Sequence, residues 1–492
     1  MSKRTPRREF LRAVGLGAVA AGLGKVAAGV GEDPRPNILW ILAEDICPDL
    51  SCYGVKAVQT PHLDKLASQG IRFTRAFVTA PVCSASRSAM MTGFHQNYTR
   101  ANQHRTPRKK PLPYGIRPIP HLLADAGYFT CLMDRKTDCN FTTDKPLFQG
   151  RHWRQRKKGQ PFFAQYTSHG THRRWRRDPQ RPIDPKDVEI PPYYPDNDFV
   201  RRDWANGLEQ IQLMDRDVGK LLKQLDDAGL ADNTVVFFIG DHGRCHIRGK
   251  QFLYDEGLHV PVLMRWPGKV KPGQVCDDLV MSIDISATVL DVAGVKPPAR
   301  LHGESLLRPD RAARKYVFAA RDKMDDTHDA MRAIRSKDYK YILNLMPERA
   351  YCQLNEYKER MYPMLALMNV MNMKGQLAGA QAAFLAAKKP PEELYDLRKD
   401  PHETRNLAAD PALADIKKQL RAELETWRKA VRDEGVTEAF RKGGWPAKYP
   451  TRTLAEWEEK LQQWRGYLFE GRPHPTAKRA KKVQKKAQGS GK

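Results

Sequence analysis

Apolar residues along the chain follow two rhythms. Apolar runs occupy Ile38–Ala43 and Thr234–Ile239, and runs rich in apolar residues occupy Tyr128–Met133 and Pro161–Tyr166. Runs of this kind predict strands buried on both faces, as in a parallel sheet covered by helices. Helical spacing appears from Pro61 to Gly70, over Ile119–Ala126 and over Asp198–Ala228, where Leu208, Ile211, Leu213, Met214, Val218, Leu221, Leu222 and Leu225 recur at roughly helical intervals. A short helix is expected to begin at Cys83. Alternation of the two rhythms predicts an α/β fold with a large, mostly parallel central sheet and helices on both faces. From Ala319 the rhythm changes. Short strands are expected at Met331–Ile334 and Tyr339–Leu345, then a Met/Ala-rich helix over Leu365–Ala387. A helix at Leu413–Val431 is expected to close a smaller C-terminal α+β subdomain.

Each apolar run ends in polar or charged residues. The first ends in Glu44-Asp45, the second in Asp134-Arg135-Lys136-Thr137-Asp138, the third near His169 and His172, the fourth in Asp241-His242. Ligands of open α/β sheets bind in the crevice beyond the carboxyl ends of the strands. The order of elements alone therefore predicts a site built from the Asp45, Lys136, His172 and Asp241 regions, close to Cys83.

Composition adds partners and compartment. The 492 residues are enough for one large and one smaller domain. The spans expected are an export signal in 1–30, a catalytic domain in 36–310 and a C-terminal subdomain in 311–435. An extension comes next in 436–471, then a disordered basic tail in 472–492. Of the formal charge of +27, residues 1–30 contribute +5 and residues 472–492 contribute +8, which leaves +14 on the body. A basic body suits a polyanion, sulfated polysaccharide or nucleic acid. No zinc-finger or RNA-binding signature is present, so nucleic acid is not expected as a partner. Arg7-Arg8 before the Ala/Gly-rich stretch Ala13–Val30 reads as a twin-arginine signal, predicting export to the periplasm or beyond by that machinery. The eight cysteines form no CxxC pair, which argues against structural zinc, and are expected mainly free and buried; a Cys47–Cys52 bridge stays open.

The stretch Pro81-Val82-Cys83-Ser84-Ala85-Ser86-Arg87, with Thr92-Gly93 after it, resembles the sulfatase signature. Glu393–Leu407 and Thr60–Ala67 resemble other parts of that family, and the likeness runs over roughly residues 36–435. It is nearest to the heparan N-sulfatase-like branch. The resemblance implies an alkaline-phosphatase-like fold and a Cys83 oxidised to formylglycine by a maturation enzyme. It also implies a divalent ion, Ca²⁺ with Mg²⁺ as the alternative, held by Glu44, Asp45, Asp241, His242 and the residue at Cys83. Hard cations prefer such carboxylate oxygens. In the family the first acidic pair is commonly Asp-Asp, where this chain has Glu44-Asp45. Arg87, Lys136, His172 and Lys250 match catalytic positions, with His169 competing for the role of His172. Asp138 replaces a family histidine, and His104, Arg105 and Asp138 are expected to meet substrate.

Two further Arg-rich segments, Arg151–Lys158 and Arg173–Arg181, are expected to rim the crevice and favour a ligand with several anions. The activity implied is sulfate ester or sulfamate hydrolysis on sulfated polysaccharides, glycosaminoglycans first. Two readings compete: a phosphodiesterase or phosphonate monoester hydrolase of the same superfamily, and a non-catalytic binder of sulfated glycans.

Overall fold

The apolar runs form the centre of the molecule. The computed structural model describes residues 35–134, 136–444 and 451–477. The signal expected in 1–30, Arg135 and most of the basic tail lie outside them. In chain order the first nine strands are β1 (Asn37–Ala43), β2 (Ile71–Phe77), β3 (Lys110–Pro111), β4 (Phe129–Leu132), β5 (Phe141–Thr142), β6 (Phe162–Ser168), β7 (Thr234–Gly240), β8 (Val262–Arg265) and β9 (Gln274–Met281). Seven make one sheet in the order β4-β6-β1-β7-β8-β2-β9, and β3 pairs with β5. Every residue of β1 and β7 is buried, as unbroken apolar runs at the middle of a two-side-covered sheet require. β1 runs parallel to both β6 and β7, with Ile41 opposite Tyr166 and Phe238. Only β8 runs against its neighbours, because the chain returns beside β7 without crossing a face. β2 escapes the sequence pattern: its buried and half-buried residues are mixed and include two arginines.

Helices Pro61–Ser68 and Asp198–Asp227 pack together, and Cys83–Thr92 packs with Ile119–Asp125 and Ser282–Val292. A second, antiparallel sheet takes the order β10 (Val317–Arg321), β11 (Met331–Arg335), β12 (Tyr339–Asn344), β13 (Glu392–Asp396). Helix Ala414–Ala430 covers it through Leu420, Leu424 and Trp427 against Ile334, Tyr341 and Leu394.

Two expectations for the C-terminal part are corrected. The Met/Ala-rich helix is two helices, Pro363–Met373 and Gly379–Phe384. Gly375 and Gly379 lie between and at their ends with φ of 67° and 52°, the left-handed backbone that stops a helix. Nor does Leu413–Val431 close the fold. Helix Leu454–Phe469 comes after it and buries Trp457, Leu461, Trp464 and Leu468 against Pro363–Met373 and Asp198–Asp227. That segment also clamps the short helix Glu356–Met361. Thr451 Oγ1 and Arg452 Nε donate to the Glu359 carboxylate at 2.6 and 3.0 Å, and Lys460 Nζ to its carbonyl at 3.1 Å.

Candidate active site

The four parallel strands deliver their polar ends to one place. Asp45, just past β1, has φ of 51°, a left-handed conformation that Asp tolerates better than most residues. The turn lets its N–H donate to Asp241 Oδ1 at 3.0 Å, tying the ends of β1 and β7 together. Beyond β7 a side chain on Gly243 would meet the Glu256 carbonyl oxygen at 2.0 Å. Only glycine fits beside His242.

Helix Cys83–Thr92 is buried along its whole length, which explains its small Ser and Ala residues. No side chain caps its N-terminus, so the positive end of its dipole acts at Cys83. One turn on, Arg87 addresses the strand ends. Nε donates to Asp241 Oδ2 at 2.9 Å, Nη2 to Glu44 Oε1 at 3.1 Å and Nη1 to Thr167 Oγ1 at 3.1 Å.

Cys83 is fully buried, with His242 Nε2 at 3.1 Å and Lys250 Nζ at 3.4 Å from its sulfur. Burial works to raise the thiol, but Lys250 and His242 bring it down to about 6. Lys250 also donates to Asp45 Oδ1 at 2.9 Å. His242 donates from Nδ1 to the Gly243 carbonyl at 2.9 Å, so Nε2 is the nitrogen presented to Asp45 Oδ1, 2.8 Å away. Burial opposes charge on this ring, yet Asp241, Cys83 and Asp45 raise it to about 10. Glu44 binds Lys136, and its Oε2 lies 3.2 Å from His169 Nδ1. Despite burial, the His169 hydrogen bond, Arg87 and Lys136 hold Glu44 well below the usual carboxylate range.

The donor set fits a hard divalent cation. A carboxylate oxygen of Asp45, the Cys83 sulfur and a His242 nitrogen lie within 4.8 Å of one another. Asp241 Oδ1 is 3.6 Å from His242 Nε2. Asp45 Oδ2 is buried with no hydrogen-bond partner among the described residues, a cost that a bound cation removes. A cation among these acids competes with the proton on His242, as expected where metal binding releases protons.

The substrate-side expectations divide. His104 Nδ1 is 2.8 Å from Asp325 Oδ1, and a His104 nitrogen, the Cys83 sulfur and an Asp138 oxygen lie within 4.8 Å of one another. Arg105 grips Asp138 through two bonds of 3.0 and 2.7 Å, so Asp138 positions an arginine here. His172 and His169 both reach the site on different partners. His169 Nε2 sits 3.0 Å from Asp134. His172 donates from Nδ1 to the Arg173 carbonyl and turns Nε2 to Tyr357 Oη at 3.3 Å and Asp45 Oδ2 at 3.8 Å.

The Arg-rich rim is mostly overturned. Arg151–Lys158 precedes β6, so it lies at the amino edge of the sheet, opposite the site. Its Trp153 stacks on Phe162 at 5.5 Å, and Arg156 lies over the same ring. Arg173 is buried in a bidentate pair with Asp203 at 2.9 and 2.8 Å, and the residues after it bond to Glu209, Gln210 and Gln212 of helix Asp198–Asp227. All eight cysteines are free, so no Cys47–Cys52 bridge forms.

Sequence reasoning does not reach Tyr357. Besides meeting His172, its hydroxyl lies 3.8 Å from Cys245 Sγ, and its ring is under Lys250 Nζ at 5.4 Å. It arrives on a short helix that carries no recognisable motif, and only the tertiary fold places it.

A large mixed sheet with a small antiparallel sheet after it, and acids, cations and a buried thiol at the strand ends, make an alkaline-phosphatase-like fold. The chain belongs to the sulfatase family, whose profile matches residues 36–151 and 133–295, and it is a sulfuric ester hydrolase. A second profile, N-sulphoglucosamine sulphohydrolase C-terminal, matches residues 240–369. An ulvan-active sulfatase of Formosa agariphila is 33% identical over 453 residues, covering 81% of this chain and 76% of the relative. The N-sulphoglucosamine sulphohydrolase of Homo sapiens is 28% identical over 470 residues, covering 82% and 91%. Among solved structures, a protein in complex with its substrate D-glucosamine-2-N,6-O-disulfate superposes with a TM-score of 0.60 at 18% identity. It covers 83% of this chain and 100% of that one.

Proposed function

We propose that this sulfatase removes sulfate, as ester or sulfamate, from fragments of sulfated polysaccharide, with glycosaminoglycan-type sugars first. In this reading Cys83 is converted to formylglycine by a maturation enzyme, and the ion is Ca²⁺, with Mg²⁺ the alternative. The observation that carries it is the convergence of Cys83, Lys250, His242 and Asp45 at the carboxyl ends of β1 and β7. The relatives named for ulvan and for N-sulphoglucosamine support a sugar substrate. Export through the signal read in residues 1–30 belongs to the same reading and rests on sequence alone.

Formylglycine at position 83 would supply a regenerable oxygen nucleophile, and a divalent ion, which Asp45, Asp241, His242 and Glu44 would hold, would supply fixed positive charge. The side chains do the rest. Arg87 orients the carboxylates of Glu44 and Asp241 through its hydrogen bonds to both. Lys136, half-buried on Glu44, and Lys250 bring positive charge to the sulfuryl oxygens. As the bond from sulfur to the leaving oxygen or nitrogen breaks, His172 Nε2 gives that atom a proton, with Lys250 the alternative donor. The sum is one water consumed, one sulfate and one alcohol or amine released.

Tyr357 is expected to position His172. Tyr357→Phe removes one hydrogen bond, worth about 1–1.5 kcal/mol, and so lowers kcat by about tenfold with KM little changed. Steady-state rates would show it; an unchanged kcat would mean that His172 is oriented by the Arg173 carbonyl alone.

Substrate class is tested by sulfate release from heparin-, chondroitin- and ulvan-derived oligosaccharides and from a small aryl sulfate, at low and raised salt. The oligosaccharides are expected to show roughly tenfold higher kcat/KM or more, with a steeper salt penalty. Equal efficiency on the aryl sulfate, without a differential salt effect, would remove the polysaccharide reading.

A further inference from the structure

A cleft of about 580 Å³ opens between residues 97–110 and the loops at 322–328 and 432–440. It contains neither Cys83 nor any of the residues grouped around it. We propose that it is a second binding site, for another anionic sugar unit of the polymer whose sulfate is removed next door. This rests on the polysaccharide reading above.

The charge balance of its walls points outward to a ligand. Arg100, Arg108, Lys110, Lys323 and Arg432 line it, against three acids. Two of the acids are already spent. Arg332 Nη2 holds Asp322 at 2.9 Å and Asp433 at 2.6 Å, and Arg428 adds a 2.8 Å bond to Asp433. Those two carboxylates are almost wholly buried. The third, exposed Glu434, only approaches Arg100, at 4.0 Å. Among the described residues Arg108, Lys110 and Lys323 therefore have no carboxylate within salt-bridge distance. Cations left over on a concave wall concentrate positive potential there, and Arg beside Lys suits a carboxylate or sulfate group.

The rest of the wall suits a sugar ring. His328 and Phe440 stack with centroids 5.0 Å apart and both face the cleft. Asn97 gives its amide N–H groups to Asp322 and Asp433 at 3.4 and 3.2 Å, while its buried Oδ1 has no partner. Aromatic surface with a few convergent polar groups is the usual make-up of small-molecule sites, and about 300–1,000 Å³ is their usual size. Volume of this order holds more than a single anion.

The cleft is joined to the site through shared backbone. His104 N–H donates to the Lys323 carbonyl at 2.9 Å, and Thr106 N–H and hydroxyl bond to Asn140 Oδ1 at 3.0 and 3.1 Å. Lys323, Thr106 and Asn140 line the cleft. Their chain neighbours, or partners, are His104, Arg105 and Asp138, which surround Cys83. One polymer chain thus reaches both places, with the sulfate to be cut at one and a charged neighbour at the other.

The test is the double variant Lys110→Ala/Lys323→Ala in the full chain, beside its charge-reversed form Lys110→Glu/Lys323→Glu. Kinetics on an aryl sulfate and on sulfated oligosaccharides are compared. The alanine pair is expected to raise KM for oligosaccharides about tenfold, leave kcat and all aryl sulfate kinetics unchanged, and flatten the salt dependence; the Glu pair exceeds it. An equal loss on the aryl sulfate, or no change on oligosaccharides, overturns the proposal. Calorimetry with oligosaccharides carrying only uronates or only sulfates identifies the anion. Binding that the double variant weakens supports the cleft even if no saccharide is hydrolysed, an outcome that would refute only the function proposed above; binding that both proteins share equally overturns it.

Discussion

Cys83→Ala is expected to lower kcat/KM on every sulfate ester by about 10⁴-fold or more, the scale of removing a nucleophile. The substitution takes one sulfur atom from a fully buried position and leaves the helix intact, because no hydrogen bond within helix Cys83–Thr92 depends on that sulfur. Lys250 keeps Asp45, and His242 keeps both Asp45 and the Gly243 carbonyl. Circular dichroism should therefore match the parent, and Asp45, Asp241 and His242 should still bind calcium, more weakly by the one donor lost at position 83. Mass spectrometry of the parent, produced with a maturation enzyme, should show the Cys83 peptide as the aldehyde. A parent with an intact thiol at full activity, or an active alanine variant, would refute the nucleophile assignment.

Loss of the ion is expected to be nearly as severe. A chelator should reduce kcat/KM by about 10³-fold or more, and Asp45→Asn should do the same without a chelator. Asp45 has two jobs in the structure: one oxygen meets Lys250 and His242, and the other is buried with no hydrogen-bond partner among the described residues, His172 Nε2 lying 3.8 Å away. A second readout separates binding from chemistry. Ions that bind only the folded chain raise its melting temperature, so Ca²⁺ should stabilise the parent and leave Asp45→Asn unmoved. Undiminished activity in chelator, with no thermal shift on adding Ca²⁺ or Mg²⁺, would remove the metal site.

Strands β1 and β7 are legible in the sequence because burial on both faces erases alternation and leaves apolar runs; β4 and β6 are legible from apolar runs interrupted by Thr130 and Gln165. The site is legible for a related reason: parallel strands put all their carboxyl ends on one edge, so the polar residues after Ala43, Leu132, Ser168 and Gly240 have to meet. The same logic, applied in reverse, excludes Arg151–Lys158, since residues that precede a parallel strand lie at the far edge. A run of charge says nothing by itself about the edge on which it falls. β2 stays hidden because its arginines break the apolar pattern. Helix Leu454–Phe469 carries its signal openly, with Trp457, Leu461, Trp464 and Leu468 at helical spacing. Tyr357 has no signal, since its place depends on a contact between distant parts of the chain.

The clamp on Glu359 sets an order of events during synthesis. Ribosomes release a chain from its amino end, so the central sheet, Cys83 and the acids of the strand ends are all outside the tunnel before Thr451, Arg452 and Lys460 emerge. Until then helix Glu356–Met361, which brings Tyr357 to His172, lacks three of the bonds that hold it down. The nascent chain therefore owns its metal donors and its thiol well before its wall on the Tyr357 side is fixed. A chain cut just before Thr451 is therefore expected to keep the central sheet and to lose these three bonds on helix Glu356–Met361, with a lower kcat as the readout.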